Sequence, residues 1–390
     1  MPHIKVAPFD TARVERLIDP KGMWRFRAFS DRRSDELWGV QVDGVDFLLH
    51  VKPFEHETLI KYDKITRPSD AELVKAALQR TMETLDLTYL SGNIAPKDKA
   101  PTRSPYELTV EALQDAPWGY EHVALEVGFG SGRHLLHQAK KRPDTLFVGI
   151  EIHTPSLRQV LKQIDLQHLS NIRVLNYDAR LVLEMLPSNS LEQIYVHFPV
   201  PWDKKPHRRV ISPAFLDEAM RTLRPEGTLE LRTDSENYLR YALEVFLDVP
   251  QSDLRLRKNA DADVTSKYEA RWRRMEKNIY DVFVRSLELS EPKQAAFDFS
   301  FGKVSVKGNR YDTLPTKPQV FDDYFVHIER VMRTFPQGWL IKCSFGNFDR
   351  PEHKYIRIDA HGARYVASLP VAIEANAKAH GVLREWLEDE

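Results

Sequence analysis

The sequence predicts an α/β fold, with a mostly parallel sheet covered by helices on both faces and set between two smaller β-rich or α+β regions. Three observations carry this. Apolar runs at 123–127, 145–150, 172–177, 191–198 and 228–232 alternate with helix-like stretches near 133–141, 155–167, 179–186 and 212–223, the strand–helix rhythm that builds parallel sheets. A glycine-rich turn, Gly128-Phe129-Gly130-Ser131-Gly132, follows the first run and opens the first helix, as in folds that bring backbone close to a ligand. Proline-rich or charged stretches, Ala95 to Pro105 and Ser290 to Ala296, mark off the central part on both sides.

The bulk numbers agree with several domains in one soluble chain. Its 390 residues exceed one typical domain, and the boundaries read as an N-terminal α+β extension with linker over 1–105, a central domain over 106–289 and a C-terminal β-rich extension over 290–390. Hydrophobic content of 42% with 29% charge suffices for real cores. A net charge of −1 makes any nucleic-acid footprint a local matter. The single cysteine, Cys343, excludes an intramolecular disulfide and a cysteine-built zinc site. Met1-Pro2-His3-Ile4-Lys5 lacks the apolar core of a signal peptide, and no run approaches a membrane-spanning length, so a cytoplasmic location without membrane association is expected. No protein partner is evident. His134 and His137 share one side of a helix without a third ligand, so they read as surface histidines and no metal site is expected.

Element by element, Trp38, Val40 and Val42 alternate, Asp43-Gly44 supplies a type I′ turn, and Val45, Phe47, Leu49 and Val51 alternate back, which is a β-hairpin. Ser69-Asp70-Ala71-Glu72 reads as a capping box opening an amphipathic helix through Val74, Leu78, Met82 and Leu85. In the central part, Leu254 to Arg257 and Ile279 to Glu288 are two further strands that finish the sheet. Beyond it, Phe297, Phe299 and Phe301 alternate, as do Val304 and Val306. Short apolar runs follow at 339–345, 355–358 and 364–369, and a closing helix covers Ala372 to Leu387.

Ligands of open α/β sheets sit beyond the carboxyl ends of the strands. Those ends here are Glu126 and Gly128, then Glu151, Asp178, the segment His197-Phe198-Pro199-Val200-Pro201-Trp202, and Arg232-Thr233-Asp234. Carboxylates converging on one crevice can accept from ribose hydroxyls, an adenine amino group or the ammonium of a methionyl moiety. The competing role for an aspartate there is to cap the following helix, and this applies best to Asp178. A dinucleotide site would need a third glycine five residues after the first, where this chain has Arg133. With Glu126 just before them, Gly128, Gly130 and Gly132 resemble instead the first motif of class I S-adenosylmethionine-dependent methyltransferases. That resemblance implies a Rossmann-like domain.

Basic residues cluster beside this crevice. Lys204, Lys205, Arg208 and Arg209 follow the fourth strand next to Trp202, and Ser266 to Arg274 interleaves basic and aromatic side chains. Such loops bind phosphates and stack on bases; alone, each is also an ordinary solvated face.

The ordered set Leu-Glu-Val-Gly-Phe-Gly, Gly-Ile-Glu, Tyr-Asp-Ala, Phe-Pro-Val-Pro-Trp-Asp-Lys-Lys, Arg-Thr-Asp and Ser-Lys-Tyr-Glu, from about Leu125 to Glu288, is similar to bacterial tRNA (guanine-N7)-methyltransferases. The resemblance implies that Glu126, Glu151 and Asp178 contact S-adenosylmethionine. It further implies that Lys204 and Asp234 contact the target nucleotide, that Ser266 and Glu269 help hold it, and that the substrate is tRNA, at its variable-loop guanine. The flanking regions lie outside the part that carries the resemblance.

One departure stands out. The family's fourth-strand motif reads Phe-x-Asp-Pro-Trp, and its aspartate position is Val200 here. Guanine N7 offers an in-plane lone pair, so attack on a sulfonium methyl needs alignment and desolvation but no general base. A carboxylate that accepts from guanine N1–H and its amino group still orients the base and balances developing charge. Asp234 is expected to do most of this as the catalytic carboxylate, with Asp203 next. The rival from another class is a non-catalytic RNA-binding protein on a decayed methyltransferase fold, which cofactor binding would distinguish. A methyltransferase of another RNA site is the second rival. For adenine N6 the usual Asn/Asp-Pro-Pro-aromatic sequence is missing after strand four.

Overall fold

The structure, a computed structural model, describes all residues except 1, 32, 69, 96–103, 111, 114–115, 262–276, 294–296, 307–309, 349 and 390. The chain forms two compact units, Met1–Thr102 with Phe297–Glu390, and Arg103–Ala296. No helix among the described residues is long and apolar enough to cross a membrane.

The first unit begins with β1 (His3–Val6), β2 (Trp24–Ser30), β3 (Arg33–Val42), β4 (Val45–Pro53) and β5 (Thr58–Tyr62), then α1 (Ala71–Thr84) and β6 (Tyr89–Gly92). The expected hairpin is β3–β4: Val42 pairs with Val45 and Trp38 with Leu49, and both turn residues have positive φ, Asp43 at 49° and Gly44 at 80°. The helix start differs from the expected capping box, because Asp70 is the N-cap and accepts from Glu72 N–H at 2.8 Å; Ser69 lies outside the described residues.

The second unit contains β7 (His122–Val127), α2 (Arg133–Lys141), β8 (Thr145–Ile150), α3 (Thr154–Gln167), β9 (Ile172–Leu175), α4 (Ala179–Met185), β10 (Leu191–His197), α5 (Pro213–Thr222), β11 (Leu223–Thr233), α6 (Glu236–Phe246), β12 (Ser252–Lys258) and β13 (Tyr280–Ser286). Its sheet runs β12-β13-β11-β10-β7-β8-β9. The five strands from β9 to β11 are parallel, β13 runs antiparallel to β11, and β12 runs antiparallel to β13. The order in which strands are added reverses between β7 and β10, a switch point of the kind that opens a ligand crevice. One core packs β7, β10 and β11 against α4, α5 and α6, and a second packs Phe147, Val174 and Tyr195 against Leu135, Val160 and Ile164 of α2 and α3. Helices on both faces and alternating order are what the sequence predicts. Only α6 was unexpected; its signal is the Ser235 cap, which accepts from Tyr238 N–H, and the buried spacing Tyr238, Leu239, Ala242, Val245.

The chain then returns to the first unit with β14 (Gln319–Val320), β15 (Phe325–Phe335), β16 (Gly338–Gly346), β17 (Glu352–Asp359), β18 (Gly362–Tyr365) and α7 (Glu374–Leu387). The two flanks, expected as separate regions, join into one antiparallel sheet because β15 pairs with β2 (Arg333 opposite Phe29, Phe335 opposite Arg27). Phe26, Ala28, Leu37 and Leu48 from one flank pack with Met332, Leu340 and Tyr355 from the other. The alternation at Phe297, Phe299 and Phe301 does not form a strand. Its backbone bonds to α7 and the chain end instead: Ser300 O accepts from His380 Nε2 at 3.0 Å, Gly302 N–H donates to Glu388 Oε1 at 2.6 Å and Lys303 O accepts from Asp389 N–H at 2.9 Å.

Candidate active site

The site is built on the second unit alone. The parallel strands β9, β8, β7, β10 and β11 end on one edge of the sheet, so the acids at or just after those ends lie along that edge. Gly128 and Gly130 turn the chain from β7 toward α2 with φ of 66° and 54°, a backbone region that costs most residues dearly and glycine nothing. A Cβ on Gly128 would meet nothing, and one on Gly130 only the Gly128 carbonyl at 3.9 Å. The turn therefore presents bare backbone to open space.

Glu151 locks this turn. Its Oε2 accepts from Gly130 N–H and its Oε1 from His153 N–H, each at 2.9 Å. Each oxygen keeps acceptor capacity for a pair of hydroxyls. Asn176 donates through Nδ2 to Glu151 O at 2.6 Å and links the second strand end to the third.

Glu126 is only 3% exposed, and its Oε2 lies 2.9 Å from His134 Nδ1 on the first turn of α2. This corrects the surface reading of His134, which turns inward from α2 and lies against Tyr195 and His197. No spacing rule marks it; its only signal is its place just past the glycine turn. Among the described residues no group of side chains suits a metal ion.

Asp178 does cap α4, as the competing reading has it. It accepts from Arg180 N–H at 3.0 Å, and the Arg180 guanidinium grips both its oxygens at 3.0 and 2.7 Å. Most of its acceptor capacity is thereby taken.

The loop after β10 holds Val200 at 59% exposure, with Phe198 and Trp202 at positive φ on either side. Lys204 and Lys205 are exposed, and among the described residues neither makes an ion pair. Arg208 is exposed and stacks over the Trp202 ring, 5.2 Å from its centroid. Arg209 departs from the expected exposed basic loop. It is 8% exposed, donates through Nε to Pro201 O at 2.8 Å and lies over the Tyr241 ring at 4.5 Å. Its charge pins the loop to α6, so it is withdrawn from the RNA-contacting set. Asp203 faces Arg209 at 3.5 Å.

Asp234 follows β11 and accepts from Lys277 Nζ at 3.0 Å; Lys277 is a neighbour that the sequence did not single out. Ser266 and Glu269, with the second basic and aromatic cluster, lie outside the described residues.

The arrangement has known relatives. A family model described as "Putative methyltransferase" matches residues 120–282. A protein of Wolinella succinogenes named tRNA (guanine-N(7)-)-methyltransferase is 44% identical over 371 residues, covering 92% of this chain and 94% of the relative. Proteins of the same name from Helicobacter pylori and Campylobacter fetus are 40% and 38% identical, covering 87% and 88% of this chain, with 86% and 88% of the relatives covered. Matches of this length extend into the first unit as well as the second.

Proposed function

Because the chain belongs to the tRNA (guanine-N(7)-)-methyltransferase family, we propose that it transfers a methyl group from S-adenosylmethionine to N7 of a guanine in tRNA, the variable-loop guanine at position 46, in the cytoplasm. The observation that carries the donor site is the Glu151 carboxylate, fixed by Gly130 and His153 amides beside a glycine turn with open space above it. Those residues fit an adenosyl group: Glu151 offers acceptors for ribose hydroxyls, bare backbone at Gly128 and Gly130 allows close approach, and buried Glu126 offers a negative charge for the methionyl end. Asp178 contributes at most its remaining acceptor capacity, since the α4 cap and Arg180 take the rest.

The donor supplies an electrophilic methyl group on a sulfonium. The protein's work is alignment. Asp234, steadied by Lys277, accepts from the guanine N1–H and amino group and balances the positive charge that grows on the base as N7 attacks. Lys204 and Lys205 hold flanking phosphates, and Arg208 on Trp202 adds charge beside a stacking surface. Ser266 and Glu269 complete the substrate side in this reading. Val200 supplies no carboxylate, and N7 needs none as a base.

The deciding experiment incubates the protein with unmodified tRNA and methyl-labelled S-adenosylmethionine, then maps N7-methylguanosine by chemical cleavage. Label at the variable-loop guanine is expected. A protein that binds cofactor and tRNA yet transfers no label would overturn the enzymatic reading in favour of an RNA binder.

A further inference from the structure

On the α2–α3 side of the second unit's sheet, a chain of titratable side chains begins at Glu126. Glu126 Oε2 is 2.9 Å from His134 Nδ1. The His134 ring lies against His197 with centroids 4.5 Å apart, and His197 Nε2 is 3.1 Å from Glu230 Oε1. Tyr195 stands edge-on to both imidazoles at 4.6 and 5.5 Å. Arg232 of β11 and Gln138 of α2 complete the surroundings of His134. A carboxylate as buried as Glu126 has to be balanced within the protein, and His134 is the group in place to balance it.

We propose that His134 is the counter-ion of Glu126 in the free protein and gives up a proton when a cationic group of the methyl donor takes that carboxylate, so that donor binding is coupled to proton release. The proposal rests on the reading that Glu126 meets the donor.

The electrostatics run in that direction. Burial works against an imidazolium at His134, and so does Arg232. The charge and hydrogen bond of Glu126, with the charge of Glu230, outweigh both and hold His134 above its ordinary value. An ammonium set against the same carboxylate cancels much of that attraction and pulls His134 back down. The geometry serves both protonation states. Nδ1–H donates to Glu126 in each. Nε2 faces the Gln138 amide at 3.2 Å, and that amide presents its NH2 to a bare Nε2 or, turned by half a revolution, its oxygen to a protonated one. The proton therefore leaves from Nε2 to water, which reaches a side chain still 14% exposed.

The sign follows. The free protein holds the proton to higher pH than the complex does, so donor affinity rises with pH between the two His134 values and is flat outside them. One proton limits the rise to about tenfold per pH unit.

Calorimetry with S-adenosylhomocysteine, which keeps the ammonium and lacks the reactive methyl, tests this between about pH 6 and 9 in two buffers of different ionisation enthalpy. The wild type should release part of a proton, seen as buffer-dependent heat, with affinity rising several-fold. His134→Gln, which keeps a donor for Glu126 but does not ionise, should bind with neither buffer dependence nor pH dependence in that window. Imidazole titration by NMR, with and without ligand, reads the same two His134 values in the wild type should the variant misfold. Buffer-independent heat with an unmoved His134, while Glu151→Ala still weakens binding, overturns the counter-ion role and leaves the donor site standing. Proton release that persists in His134→Gln overturns it too, and failure to bind the ligand at all removes both readings.

Discussion

Glu151 holds the Gly130 and His153 amides, and the proposed donor site gives it a second duty, accepting from the ligand's hydroxyls. Glu151→Ala strands both the amides and the ligand's hydroxyls. It should weaken cofactor binding by about 1–3 kcal/mol, the cost of leaving hydrogen-bond partners unpaired, as read by calorimetry. Asp234 differs in the proposed mechanism, where its interaction with the base matters most as charge develops. Asp234→Asn should lose about 2–4 kcal/mol of transition-state stabilisation under single-turnover conditions, the range for removing one polar group aimed at that charge. Val200→Asp should leave the rate unchanged or raise it, since the exposed position adds an acid without breaking packing. An Asp234→Asn variant at full rate would shift the role to Asp203, which faces Arg209 in the same loop.

At the scale of the element, the loop after β10 divides its four cations between two jobs. Lys204, Lys205 and Arg208 are exposed, whereas Arg209 is tied to Pro201 O and the Tyr238 and Tyr241 rings of α6. Replacing the first three with Ala should lower the salt slope of tRNA binding by somewhat less than one for each phosphate no longer neutralised, with the thermal midpoint nearly unchanged. Arg209→Ala should do the reverse. It removes a charged hydrogen bond and a buried ring interaction, together about 2–3 kcal/mol of stability, and should show as a lower midpoint in thermal denaturation. A salt slope that responds to Arg209 alone would reverse this division.

At the scale of the molecule, the first unit is closed by strands from opposite ends of the chain. Deleting 297–390 would leave the β2 edge without β15 and uncover Phe26, Ala28, Leu37 and Leu48, which now pack on Met332, Leu340 and Tyr355. An exposed edge beside an apolar face promotes association. The truncated chain should therefore show faster amide exchange across β2 and β3 and concentration-dependent aggregation, while the β7 to β13 sheet, formed wholly within Arg103–Ala296, keeps its protection. Equal exchange in β2 with and without the C-terminal segment would mean that the N-terminal strands hold their half of the sheet alone.

The sequence by itself determined the parallel sheet, its glycine turn and the acids at its strand ends, because these depend on local rules: periodicity, turn chemistry and the fixed relation between a strand's end and the next helix. The hairpin at Asp43-Gly44 was legible for the same reason. Tertiary structure alone decided what depends on partners far along the chain. β15 was hidden because its register shift between Ile328 and Arg330 breaks the alternation, and its pairing with β2 lies some three hundred residues away in sequence. Phe297 to Phe301 alternates like a strand, but Ser300 O and the following Gly302 N–H bond to α7 and the residue after it. Arg209 looks like its neighbours in sequence and is buried. His134 looks like a surface histidine and balances Glu126. Burial and pairing are properties of the folded surroundings, and a residue's own neighbours in the chain do not encode them.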